Sequence, residues 1–155
     1  MKTILQKMTD EEFDHYLAYF IPDYAKDLSE NFMIPLEKAM EESKDLMEQL
    51  LPNKQDTEGQ LVYNIYSIDE DKTIGVIWYN IQTESNKAYI YHILIKEEFR
   101  KKGFATFVLQ ELEETMKSTG ITSMGLNVFG KNPNAYKLYE KLGYQTQSTA
   151  MGKRI

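Results

Sequence analysis

The sequence predicts an α/β protein, one largely antiparallel sheet carrying helices, in the order β-α-α-β-β-β-α-β-α-β. Three observations lead there. Residues 61–68 and 73–82 are apolar runs joined by Asp69-Glu70-Asp71-Lys72, the composition of a hairpin turn. Residues 89–95 (YIYHILI) form a further strand-like run that passes through a basic glycine turn into an amphipathic stretch. In that stretch Phe104, Val108, Leu112 and Met116 recur at helical spacing.

Residues 3–8 read as a short first strand. Thr9-Asp10-Glu11-Glu12 then fits a capping box, with Thr9 as N-cap and Glu12 three residues on. Phe13, Leu17, Phe20 and Tyr24 continue a helical stripe, which Pro22 should kink or break. Pro35 opens a second helix, and the stripe Leu36, Met40, Ser43, Met47 and Leu50 assigns Met40 and Met47 to the core. Pro52-Asn53 stops it. Residues 53–59 are a polar loop, and Thr83-Glu84-Ser85-Asn86 turns the chain into the 89–95 strand. The next helix runs from about 104 to 118, with Gly120 as its stop. A strand at 123–129, a helix at 133–142 ended by Gly143, and a final strand or hairpin within 144–155 complete the order. No repeat, low-complexity tract or linker interrupts it, so residues 1–155 are read as one domain.

Composition narrows the function classes. A hydrophobic fraction of 42%, with eleven Tyr, seven Phe and one Trp, belongs to a globular chain rather than a disordered one. There is no cysteine, which removes disulfides, thiolate metal sites and any acyl transfer through a cysteine thioester. No apolar run is long enough to span a bilayer, and Met1 to Lys7 lacks the apolar region of a signal peptide. Those features suggest a cytoplasmic protein without membrane partners. The net charge of −6 argues against nonspecific nucleic-acid binding, which needs a broad basic face. It mildly favours cationic acceptors, although solubility alone accounts for it more simply.

Against that acidity, Arg100, Lys101 and Lys102 stand together before Gly103, between a strand and a helix. Unpartnered N–H groups at a helix start, with the helix dipole behind them, favour an anion there. Gly103 permits close backbone approach, and Ala105 is nearly as small. The pattern is neither G-x-x-x-x-G-K-[ST] nor the three-glycine dinucleotide fingerprint, which weakens any reading as a nucleotide-binding α/β protein. On its own, the hexapeptide could equally be a basic turn at an ordinary helix.

A second stretch lies downstream, from Asn127 to Tyr144. Asn132 and Tyr139 are seven residues apart, nearly two helical turns, so both can face one side of a helix. Beside them Ala135, Leu138 and Leu142 form an apolar stripe. Taken singly, Asn132-Pro133 is an ordinary N-cap and N1 pair, and Tyr139 an ordinary packing tyrosine.

Together, R-x-x-G-x-A and the later Asn132, Ala135, Leu138, Tyr139 and Gly143 resemble the GNAT family, the GCN5-related N-acetyltransferases. That family ends close to N-x-x-A-x-x-L-Y-x-x-x-G-F, and Tyr144 here replaces the Phe. The resemblance implies an acetyltransferase with acetyl-coenzyme A as cosubstrate, no metal, and a small-molecule or peptide amine as acceptor. A homodimer would follow family habit. The backbone of Ile93, Leu94 and Ile95 would pair with the pantetheine arm. The loop from Arg100 or Lys101 through Lys102, Gly103, Phe104 and Ala105 to Thr106 would hold the pyrophosphate. Asn132 would touch the cofactor, and Tyr139 would give a proton to the leaving thiolate, a role suited to a phenol.

One departure concerns the base. Many relatives carry Glu at the position of Asn127, and an amide cannot accept the amine's proton. His92 has a suitable unperturbed pKa, but a structural histidine is favoured over a base there. Strict alternation would put Ile90, His92 and Leu94 on one sheet face, and Tyr89, Tyr91 and Ile93 on the other. The competing reading is a coenzyme A-binding regulatory or interaction domain without turnover. Asn127 supports it, and Tyr139 speaks against it.

Overall fold

The computed structural model describes residues 1–155, which gather into two compact units, each assembled from two separate segments of chain. The first unit comprises Met1–Asp10 and Asn53–Asn127. It holds β1 (Thr3–Lys7), β2 (Gln60–Ser67), β3 (Lys72–Gln82), β4 (Lys87–Ile95) and β5 (Ser123–Leu126) in one sheet of order β1-β2-β3-β4-β5. The first four strands pair antiparallel, and β5 runs parallel to β4. The amphipathic helix of this unit spans Phe104–Ser118 and packs on β4. Its Phe104, Val108, Leu109, Leu112 and Met116 are buried, as are Val62, Ile65, Ile74, Ile77 and Ile90 of the sheet. Burial of this kind contributes roughly 1.5–3 kcal/mol for each large side chain.

The second unit comprises Glu11–Pro52 and Val128–Ile155. Its helices are α1 (Asp10–Phe32, whose first residue belongs to the sheet unit), α2 (Leu36–Leu50) and, numbering the sheet unit's helix α3, α4 (Pro133–Lys141). Ala25 and Leu28 of α1 pack with Ala39 of α2, and Tyr24, Ile34 and Phe129 close over them. No helix is long and apolar enough to cross a membrane.

Several expectations are corrected. The helix α1 runs unbroken through Pro22, and its buried face, Phe13, Tyr16, Phe20, Ala25 and Leu28, outweighs the one missing backbone bond. Met40 is not core. The buried line is set by Ala39 rather than Met40, its neighbour about 100° further round the helix, so α2 buries Ala39, Ser43 and Met47 while Leu36 and Met40 are 55% and 37% exposed. The last strand does not form. Between Tyr144 and Met151 the chain is Gln-Thr-Gln-Ser-Thr-Ala, with no alternate apolar side chains to bury, and residues 145–155 are exposed without regular structure. The strand at 123–129 stops at Leu126.

The largest correction concerns β4. Trp78 pairs with His92, but the next residue, Tyr79, pairs with Ile90, so Tyr91 is an extra residue, a bulge. Paired residues share a face, and Trp78 and Tyr79 face opposite ways. The bulge therefore separates Ile90 from His92. It also brings Tyr91 to the face of Trp78, where the rings stack 4.5 Å apart.

Candidate functional site

In the sheet unit, β4 is half covered. Lys87 to Ile90 pair with β5, which ends opposite Ile90, and no strand follows alongside the rest of β4. Which groups face that open edge follows from the register. Lys96 N–H donates to the Ile74 carbonyl at 2.8 Å, which makes 96/74, 94/76 and 92/78 the hydrogen-bonded pairs with β3. Leu94 thus spends its backbone groups on β3, whereas Ile93 and Ile95 turn theirs outward. The Ile95 carbonyl accepts a bond from Arg100 Nε at 2.7 Å. The N–H and C=O of Ile93 and the N–H of Ile95 remain, an edge on which an amide-bearing chain can form strand-like bonds.

That edge leads into the glycine turn. Lys101 and Gly103 have φ of 60° and 86°, two left-handed residues that fold the backbone over. Gly103 is the N-cap of α3, and no side chain caps the helix. The first intrahelical bond shown is Phe107 N–H to the Gly103 carbonyl at 3.0 Å, so the N–H groups of Phe104, Ala105 and Thr106 point off the helix start. A Cβ built on Gly103 would meet nothing nearer than Met1 Cε at 4.0 Å, so the space before the glycine is open. The Phe104 ring is buried edge-on against Phe99, leaving only its backbone to the opening. Lys102 Nζ lies 5.7 Å from the centre of the Phe99 ring, and Lys101 is exposed. A diphosphate fits this arrangement of N–H groups, dipole and cations.

His92 is half-buried on β4, and burial lowers its pKa to about 4. It is therefore a neutral imidazole near pH 7. Asn127, just past β5, is exposed.

In the helical unit, Asn132 caps α4, its Oδ1 accepting the Ala135 N–H at 3.2 Å. Tyr139, nearly two turns on, is half-buried with its ring edge-on to Tyr144. Its hydroxyl has no hydrogen-bond partner within the chain and is not sealed from solvent. Burial raises its pKa, so the phenol stays protonated through the neutral range. Residues that sequence reasoning missed hold the loop before α4. Asn31 Oδ1 accepts the Lys131 N–H at 3.0 Å, while Asn31 Nδ2 donates to the Asp27 carbonyl at 2.9 Å. Phe129 packs against Tyr24 and Phe32, with ring centres 5.8 and 6.1 Å away. Nothing local in the sequence marks Asn31, because its partner lies 100 positions downstream.

An open strand edge running into an uncapped, glycine-fronted helix defines an α/β protein with an anion-favouring turn at the end of a half-free strand. The family model described as "Acetyltransferase (GNAT) family" matches residues 6–144, and the chain belongs to that family. The uncharacterized N-acetyltransferase YdgE of Bacillus subtilis is 30% identical, covering 100% of this chain and 99% of its own. The uncharacterized N-acetyltransferase YycN of the same organism is 32% identical over the full length of both. The crystal structure of YycN aligns with a TM-score of 0.92 over 99% of each chain. PaiA N-acetyltransferase from Thermoplasma acidophilum, solved in complex with coenzyme A, shares the fold at 20% identity, covering 97% of this chain and 94% of its own, with a TM-score of 0.67.

Proposed function

We propose that this protein transfers acetyl from acetyl-coenzyme A to an amine, by direct attack within a ternary complex. The observation that carries the reading is the outward backbone of Ile93 and Ile95 leading into the open Gly103 turn. The coenzyme A bound by PaiA, on the same fold, supports it. Absence of cysteine agrees with direct attack, since no thiol can carry the acetyl group in between.

Acetyl-coenzyme A supplies the thioester and a thiolate leaving group. The chain does the rest. Ile93 and the Ile95 N–H bind the arm, and the N–H groups of Phe104, Ala105 and Thr106 take the pyrophosphate with Lys101 and Lys102 beside them. Arg100 holds the end of β4 through the Ile95 carbonyl. Asn132 contacts the cofactor through the amide nitrogen that its cap leaves over. As the amine nitrogen bonds to the acetyl carbon and the carbon–sulfur bond breaks, the Tyr139 hydroxyl protonates the departing sulfur. The amine's surplus proton leaves through water, which the Asn127 amide positions without accepting it.

Calorimetry with acetyl-coenzyme A, followed by an amine panel read as free-thiol release, tests the reading. Binding together with amine-dependent thiol release is expected. Asn127 favours a second reading, a coenzyme A-binding domain without turnover, and binding with no release from any amine would establish that instead.

A further inference from the structure

The helical unit contains a cleft of about 380 Å³ between the end of α1 and the C-terminal segment. Asn31, Phe32 and Met33 line one side, and Met151, Lys153 and Arg154 the other. Met33 closes α1 in a left-handed conformation, φ 58°, and its Cε would lie 3.7 Å from a Cβ built on Gly152. The cleft is open to solvent along one side, and its wall from residues 150–154 is exposed chain.

Its lining has a sign. Lys153 and Arg154 are both cationic, neither forms an ion pair, and no acidic side chain lines the cleft. The helices α1 and α2 are otherwise rich in Asp and Glu, so this pair reverses the local charge. The opposite wall is apolar: Phe32 and Met33 are 56% and 38% exposed. The Asn31 amide is already committed at both ends, to Asp27 and Lys131, so it shapes the wall rather than greeting a ligand.

That commitment ties the cleft to the transfer machinery. The Phe129 ring meets Phe32, the Lys131 N–H bonds to Asn31, and Asn132, directly after Lys131, caps the helix bearing Tyr139. Resting on the transferase reading above, we infer that this cleft receives the acceptor, and that the acceptor is an amine joined through an apolar body to a carboxylate or similar anion. Phe32, Met33 and Met151 would hold the body, while Lys153 and Arg154 hold the anion. Arg154 can do so with two parallel bonds.

Matched pairs of acceptors test this, because amines of similar basicity differ only in the anion. The probes are 6-aminohexanoate against hexylamine and 4-(aminomethyl)benzoate against benzylamine, with thiol release as readout. The expected kcat/KM is at least about tenfold higher for the carboxylate member of each pair. In the double variant Lys153→Ala/Arg154→Ala that ratio should collapse toward one, chiefly through KM. Equal use of both members, a preference for the uncharged tails, or a ratio that survives the double substitution overturns this inference alone. If acetyl-coenzyme A binds and no amine of either kind releases thiol, the transferase reading falls and takes this one with it.

Discussion

Gly75 on β3 lies so close beside β4 that a Cβ on it would run into the Leu94 carbonyl oxygen. Its backbone dihedral is not the reason for glycine there; the neighbouring strand is. Gly75→Ala must push β4 outward at the residues flanking the open edge. It should destabilise the protein by about 1–3 kcal/mol, as overpacking of this kind does, seen as a lowered denaturant midpoint. Binding of acetyl-coenzyme A should weaken as well. An unchanged midpoint would mean the strands can part without cost.

At the glycine turn, Gly103→Val should reduce acetyl-coenzyme A binding more than tenfold, roughly, by placing a branched side chain where the pyrophosphate must approach. The left-handed φ of 86° adds backbone strain, so thermal unfolding must be measured alongside. Lys101→Ala should cost less, because one exposed charge contributes only part of the attraction. Normal calorimetric binding by a folded Gly103→Val protein would show that the cofactor sits elsewhere.

Tyr139→Phe deletes one hydroxyl that has no partner in the chain, so folding and cofactor affinity should be kept. Turnover should drop by roughly ten- to a thousandfold, the range for a lost general acid. Stopped-flow measurement of the chemical step decides the matter, and equal rates would reduce Tyr139 to a packing residue.

For His92 the sign of the pH effect is fixed by its lowered pKa of about 4. The unfolded imidazole gains its proton near 6.5 and the folded one only near 4. Stability should therefore fall as pH drops through that window and level off below it, by ~3 kcal/mol at most. His92→Gln should remove this component from urea titrations across the window. In activity, the acidic limb near neutrality should track the acceptor's own pKa and shift when another amine is supplied. A limb indifferent to the acceptor yet absent in His92→Gln would make His92 the base.

Sequence periodicity carried most of the fold because the sheet and α3 rely on local rules. The apolar runs at 61–68 and 73–82 form the two paired strands they announce, and the four-residue stripe from Phe104 to Met116 buries the face it displays. It failed where a local rule met a nonlocal fact. Nothing within residues 89–95 announces that Tyr91 will bulge, because a bulge is a property of pairing with β3. Likewise the α2 stripe named Met40, whereas only the packing of Ala39 on α1 shows which side faces inward. Within the site, the turn from Arg100 to Thr106 was legible because strand, glycine and helix are contiguous. The Arg100 bond to Ile95 and the Asn31 grip on Lys131 were not, since side-chain reach leaves no pattern in sequence.

The bulge also gives the protein an optical signal. Its one tryptophan, Trp78, is wholly buried, stacked on the extra residue Tyr91, and donates through Nε1 to Gln60 at 2.8 Å. Excited at a wavelength tyrosine does not absorb, all emission comes from that single ring, pressed against the strand whose other half lies open. Fluorescence is therefore a site-specific gauge of how far β4 moves, without any label being added.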